Sequence, residues 1–285
     1  MIRWQFILPD NTDIVISFSD RIQIEIEVRD MDKLVIFNGI LIAIIALGLW
    51  LVKKYVKKER ARNGILLAAA VFTILFHYSS FLIRLLTGGD AMGYLRETPN
   101  LILPIYPCNV VMWSALIFAC LKNKQSKLGA FFADYLFWFG IISTLVGMFA
   151  NVDFIRNPTL ADYENVKSIG AHATLLFNVL LLPVFGYIKI DVKRNMMNMI
   201  ISILVMGLIG GYCNLVFSAL GSPERAYDVN SMFLMHSPFD GIDFLTYPVI
   251  ALLAIPIYFV VFVICDLCAH KKGARFYNRT NDQER

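Results

Sequence analysis

Residues Leu101–Leu121 read LILPIYPCNVVMWSALIFACL. Twenty-one residues without a formal charge are enough to cross about 30 Å of hydrocarbon as a helix. Yet its first nine residues carry two prolines, a tyrosine, a cysteine and an asparagine. Pro107 has no N–H to donate and clashes with the preceding turn, so it fits best at the first position of a helix. Tyr106, ahead of a proline, is pushed away from helical angles. A helix starting at Pro107 and ending at Leu121 is about 22 Å long, too short to cross alone. Leu101–Tyr106 must then form a bent or broken approach, which membranes tolerate only where it is buried in protein or lines a cavity.

The rest of the chain sets this stretch in a membrane. Of 285 residues, 58% are hydrophobic and 17% charged, with a mean hydropathy of +0.61, too apolar for a dispersed soluble domain. Seven apolar blocks stand out: Leu34–Val52, Gly64–Leu86, Leu101–Leu121, Leu128–Phe149, Gly170–Ile188, Met196–Leu220 and Phe244–Cys265. The links at 53–63, 122–127 and 189–195, with the tail from His270, hold 17 of the 26 basic residues. The opposite set, 1–33, 87–100, 150–169 and 221–243, holds 16 of the 22 acids and eight bases. The positive-inside rule puts the N-terminus outside and the C-terminus in the cytoplasm, which agrees with an odd number of spans. The expected fold is all-α: a seven-transmembrane helix bundle (33–270) with a basic cytoplasmic tail (271–285).

Residues 1–32 follow another period. Trp4, Phe6 and Leu8 alternate with more polar neighbours, as do Ile14, Ile16 and Phe18, then Ile22, Ile24, Ile26 and Val28. Turn residues separate the runs, so a three-stranded β-meander capping the outer face is expected. The acids and the lack of a continuous apolar core argue against a signal peptide.

Polar residues inside the blocks fall in one layer of the outer half. Cys108, His77, Cys213 and Asn214 lie about 10–13 Å below the outer ends of their spans. His172 begins the fifth block, and Arg84 lies seven residues after His77 on the same face. Intramembrane ionisable groups face one another or a cavity and point to function, although asparagine and serine also tie helices together. Cys108 is the second residue of the helix begun by Pro107, among unpaired N–H groups at the positive dipole end, where a thiol is activated. A nucleophilic thiol needs a base: His172 first, His77 second, and third His236, in an outer loop apolar enough to dip into the mouth as a lid. Two other readings of Cys108 stand, a packing residue and a disulfide to Cys213. The pair Cys265 and Cys268 with His270 falls short of a zinc site. Neither a metal nor a cofactor is expected, and the basic loops lack the aromatics of a nucleic-acid surface.

"LPIYPC" (Leu103–Cys108), with "AHATLL" opening the fifth block and "GYCNLVF" closing the sixth, resembles the YwaF-like integral membrane proteins. That family is related to a vertebrate ether-phospholipid acyltransferase of the TMEM series. The resemblance implies Cys108 as acyl-accepting nucleophile, His172 as its partner and Asn214 in the same pocket. The family's signature histidine is Tyr106 here, which hydrogen-bonds but is no base near neutral pH. The sequence therefore points to a multi-pass protein of the cell membrane, a bacterial plasma membrane, acting on a membrane phospholipid. Cys108 and His172 would be catalytic; Tyr106, Asn109, Asn214, Arg84, His77 and His236 would serve substrate or oxyanion. The alternative is a non-enzymatic lipid or small-molecule binding or transport protein using the same cavity. The sequence leaves the oligomeric state open.

Overall fold

The computed structural model describes the backbone of residues 3–7, 13–149, 159–220, 229–237 and 241–271, with side chains from residue 32 onward. Strands β1 (Arg3–Ile7) and β2 (Asp13–Ser17) pair antiparallel, Trp4 opposite Ile16 and Phe6 opposite Ile14. The three-stranded meander is not formed. The third alternating run, Ile22–Val28, lies in helix α1 (Phe18–Tyr55). Extending an existing helix needs no new nucleus, and Arg21, Glu25 and Arg29 recur at the four-residue spacing that favours it. The expected covering of the bundle by the sheet's apolar face, and the basic tail beyond residue 271, lie outside the described residues.

Seven further helices follow: α2 (Glu59–Leu86), α3 (Ala91–Glu97), α4 (Pro107–Cys120), α5 (Lys127–Phe149), α6 (Tyr163–Val184), α7 (Val192–Leu220) and α8 (Tyr247–Ala269). Six are long and apolar enough to cross a membrane: α1 from Asp32, α2, α5, α6, α7 and α8. The third apolar block yields only the 14-residue α4, about 21 Å of helix. Among the described residues the structure thus has six helices of crossing length and one short apolar helix, α4, where the sequence predicts a seventh, broken span.

Helix α6 is central, packing on α1, α2, α4 and α5; α7 joins α5 to α8. The main core, between α2, α4, α5 and α6, contains Leu66, Val111, Phe118, Leu136, Val179 and Leu182. A second core of Trp138, Met199, Tyr258 and Phe262 binds α8 through α7 to α5. Polar ties cross between helices, as expected where lipid supplies no hydrophobic drive. Asn38 Nδ2 donates to Met148 O at 2.7 Å, Tyr247 Oη to Ile203 O at 2.6 Å and Tyr258 Oη to Trp138 O at 3.1 Å. Among the described residues, α1 from Asp32 and α8 leave most of their apolar side chains exposed, the property of surfaces that face lipid.

Gly140 of α5 sits where three helices meet. A Cβ there would lie 2.9 Å from Val179 of α6 and 3.1 Å from Val111 of α4. This junction gives a common level from which depths along the bundle can be measured.

Candidate functional site

The chain bends ahead of α4 as its two prolines require. Pro99–Leu101 form a 3-10 turn, and Tyr106, the residue before Pro107, is extended at φ −113°, ψ 152°. A broken segment in a bundle must find partners for its backbone groups, and this one finds them on three sides. His77 Nε2 lies 3.3 Å from Asn100 O, and Tyr78 Oη donates to Leu101 O at 2.9 Å. The Cys213 thiol donates to Pro104 O at 4.0 Å. The N–H of Met232 donates to Ile105 O at 2.8 Å. The N–H of Tyr106 donates to Asn109 Oδ1 at 3.2 Å, so Asn109 closes the first turn of α4. Helices α2, α7 and the 229–237 loop thereby hold the approach.

Cys108 and Cys213 are both free thiols; the disulfide between them is not formed. Cys108 is half-buried and packs against the main core. Among the described residues no histidine hydrogen-bonds to it. From the Gly140 junction, Cys108 lies about 4.5 Å toward the α3 end of the bundle and His172 about 10.5 Å, at 1.5 Å per residue. The two therefore differ in level by about 6 Å.

His172 is held at two points. Its Nδ1 is 2.8 Å from Ser168 O; a carbonyl only accepts, so Nδ1 carries the proton and Nε2 of the neutral ring keeps its lone pair. The Nε2 edge rests on Gly147 of α5, where any Cβ would overlap the ring. Helix α6 starts at Tyr163, seven residues before the apolar block, so His172 lies about 13 Å inside the helix and does not begin it.

The early start brings charge into the bundle that the apolar reading left in a loop. Lys167 forms an ion pair with Glu164 and donates to Tyr94 Oη at 2.8 Å; Tyr94 Oη in turn donates to Glu164 at 2.9 Å. Arg84, exposed, stacks its guanidinium over the Tyr94 ring at 4.6 Å. His77 is within electrostatic reach of both Lys167 and His172, its level fixed by Phe76 packing on Gly170. His77, His172 and Arg84 thus share one polar cluster with Tyr94, Glu164 and Lys167, which sequence reasoning missed. The opposite charges at 164 and 167, at helical spacing, were the signal for it.

Tyr106, Asn109 and Asn214 belong to a second group, around Cys108 and the 229–237 loop. Asn214 Oδ1 accepts from Ser231 N–H at 2.8 Å, and the Tyr106 and Phe233 rings lie 6.0 Å apart. His236 is exposed; its backbone is clamped by Asn230, whose Nδ2 donates to His236 O at 2.7 Å. No group of histidine, cysteine and carboxylate side chains able to hold a metal occurs among the described residues.

No curated protein and no solved structure matches this chain. The sequence profile of the TMEM164 family matches residues 30–266, a stretch containing the broken approach and both polar groups. With six helices of crossing length, the protein is a multi-pass membrane protein, and it belongs to the TMEM164 family.

Proposed function

We propose that the chain is a lipid acyltransferase of the plasma membrane working through a Cys108 thioester. The observation that carries the reading is Cys108 itself: a free, half-buried thiol in the first turn of α4. In that turn the N–H of Cys108 donates to no backbone carbonyl among the described residues, which suits it to an oxyanion. The relation to YwaF-like proteins and to an ether-phospholipid acyltransferase, implied by the "LPIYPC" resemblance, points the same way. The thiol sulfur attacks an ester carbonyl of a phospholipid, a C–S bond forms and the ester C–O bond breaks. His172 Nε2 takes the thiol proton and returns it to the departing lipid oxygen. A second lipid hydroxyl then takes the acyl group by the reverse steps. The level difference from Cys108 to His172 calls for a bridging water or a shift at the α3 end.

In this reading α4 and its approach complete a seventh crossing, the α3 end faces outside and residues 271–285 lie in the cytoplasm. The charge alternation of the loops supports that orientation. Arg84 and the Tyr94 cluster face the headgroup region, and His77 steadies the approach.

Incubation in phospholipid proteoliposomes followed by intact-mass measurement tests the proposal. A hydroxylamine-sensitive acyl adduct on Cys108, absent from Cys108→Ser and lost with His172→Ala, is the expected result. Full acyl exchange by Cys108→Ala would end it. A non-covalent binding protein is the second reading, favoured by the absence of a histidine bonded to Cys108 among the described residues. A retained lipid without any adduct would decide for it.

A further inference from the structure

The 229–237 loop reaches into the bundle. Met232 is wholly buried in the core cluster against which Cys108 packs. Its N–H donates to Ile105 O, on the approach three residues ahead of Cys108, at 2.8 Å. Ser231 N–H donates to Asn214 Oδ1. A glycine on α7 makes room: a Cβ at Gly210 would fall 2.7 Å from Met232 Cγ and 2.9 Å from its Cβ. The seat is nevertheless an uneasy one. Met232 and Phe233 have φ of 55° and 56°, the left-handed region that bulky side chains avoid. The Ser231 hydroxyl is fully buried without a hydrogen-bond partner among the described residues. A segment strained at consecutive residues and carrying an orphaned polar group is held by its surroundings, and such strain gathers at switches and ligand clamps.

We propose that Met232 is a displaceable plug, and that the slot it fills, in the core against which Cys108 packs, receives an acyl chain of a lipid. Methionine is unbranched and flexible, close in width to an alkyl chain, so one slot accommodates both. The chain replaces the plug's apolar contacts, while the loop sheds its backbone strain and returns the Ser231 hydroxyl to water. Binding of the chain and withdrawal of the loop are one equilibrium, and whatever favours the loop inhibits binding. The ligand class rests on the acyl-transfer reading above; the plug does not.

Alkylation of Cys108 by N-ethylmaleimide, followed at the peptide level by mass spectrometry on full-length protein in proteoliposomes, tests it without any turnover. Met232→Ser keeps the strained backbone and empties the slot. Cys108 labelling should rise at least about tenfold, with exposed Cys120 unchanged. A single-chain phospholipid should then slow Cys108 labelling back toward the wild-type rate. Wild-type labelling in a monodisperse Met232→Ser protein overturns the plug. Failure of the single-chain lipid to protect overturns the acyl slot. Should Met232→Ser not fold, Gly210→Cys with Met232→Cys supplies the second arm, the two Cβ positions needing less than about 1 Å of adjustment for a disulfide. Oxidation should hold Cys108 labelling at or below wild type and block lipid retention, and reduction should restore both. Lipid retention unchanged by the oxidised lock rejects the proposal. Labelling that behaves as expected without any acyl adduct on Cys108 sinks acyl transfer and leaves the plug standing.

Discussion

The two ends of the bundle treat buried polar groups in opposite ways. At the end away from α3, Asp134 is buried on α5 and accepts from Arg194 Nε at 3.1 Å, Arg194 Nη2 at 3.3 Å and Asn198 Nδ2 at 2.7 Å. Arg194 also donates to Lys189 O, and Asn195 Oδ1 accepts from Asp191 N–H. The start of α7 and the loop before it are thereby fastened to α5. All these groups but Lys189 sit on regular helices or their caps; the indole N–H of Trp138, one turn along α5, and Arg62 Nε, in the first turn of α2, lack hydrogen-bond partners among the described residues. The α3 end has an interrupted helix, two left-handed non-glycine residues, an orphaned hydroxyl and a free thiol. Satisfied networks specify a structure, and strain persists where function needs a second state. On this comparison Asp134 is a structural lock, and the proposed chemistry belongs to the other end.

The comparison breaks most severely at the lock. Asp134→Ala should lower stability by roughly 2–3 kcal/mol, less than a fully enclosed pair would lose because Arg194 can turn to water. Acyl adduct per folded molecule should stay at the wild-type level. Thermal or detergent unfolding read beside the mass assay checks both halves, and an unchanged unfolding midpoint would show that the network carries no load.

Two glycines on one helix sharpen it. Gly140→Ala puts a methyl group against Val111 and Val179, while Gly147→Ala puts one into the His172 ring. Each should cost about 1–2 kcal/mol by overpacking. Only Gly147→Ala should also cut adduct formation, by about tenfold or more, because the imidazole must leave its seat and lose its alignment. Equal adduct rates in the two variants would mean that the seat of His172 serves packing alone.

The sequence disclosed the parts of this comparison unevenly. Block lengths found six crossing helices, and the chemistry of Pro107 located the start of α4, because both are local properties. Ile22–Val28 misled, since four alternating β-branched residues look like a strand when read alone, whereas a helix already formed next to them can be prolonged. The start of α6 was missed because an apolar window stops at Lys167, while Glu164 and Tyr94 neutralise that charge and carry it inward. Met232 was legible only as part of an apolar loop. Its burial depends on Gly210, Asn214 and Ile105, which lie far from it in the chain and meet only in the fold.

The smallest effect is expected at Phe233, and it asks which force holds the loop. The left-handed backbone costs a bulky residue about 1–2 kcal/mol, and asparagine occupies that region with much less penalty. Phe233→Asn removes this strain and also the ring pair with Tyr106, at 6.0 Å and tilted by 32°, worth about 0.5–1 kcal/mol. The net should favour the seated loop by roughly 0.5 kcal/mol, which slows maleimide labelling of Cys108 about twofold. Since the backbone bonds of Met232 and Ser231 are untouched, the unfolding midpoint should hardly move. Slower labelling with an unchanged midpoint would place the strain in the equilibrium of the loop and not in the fold as a whole. Faster labelling would mean that the Tyr106 contact, at the position where the resembling family has histidine, outweighs the backbone in seating the loop.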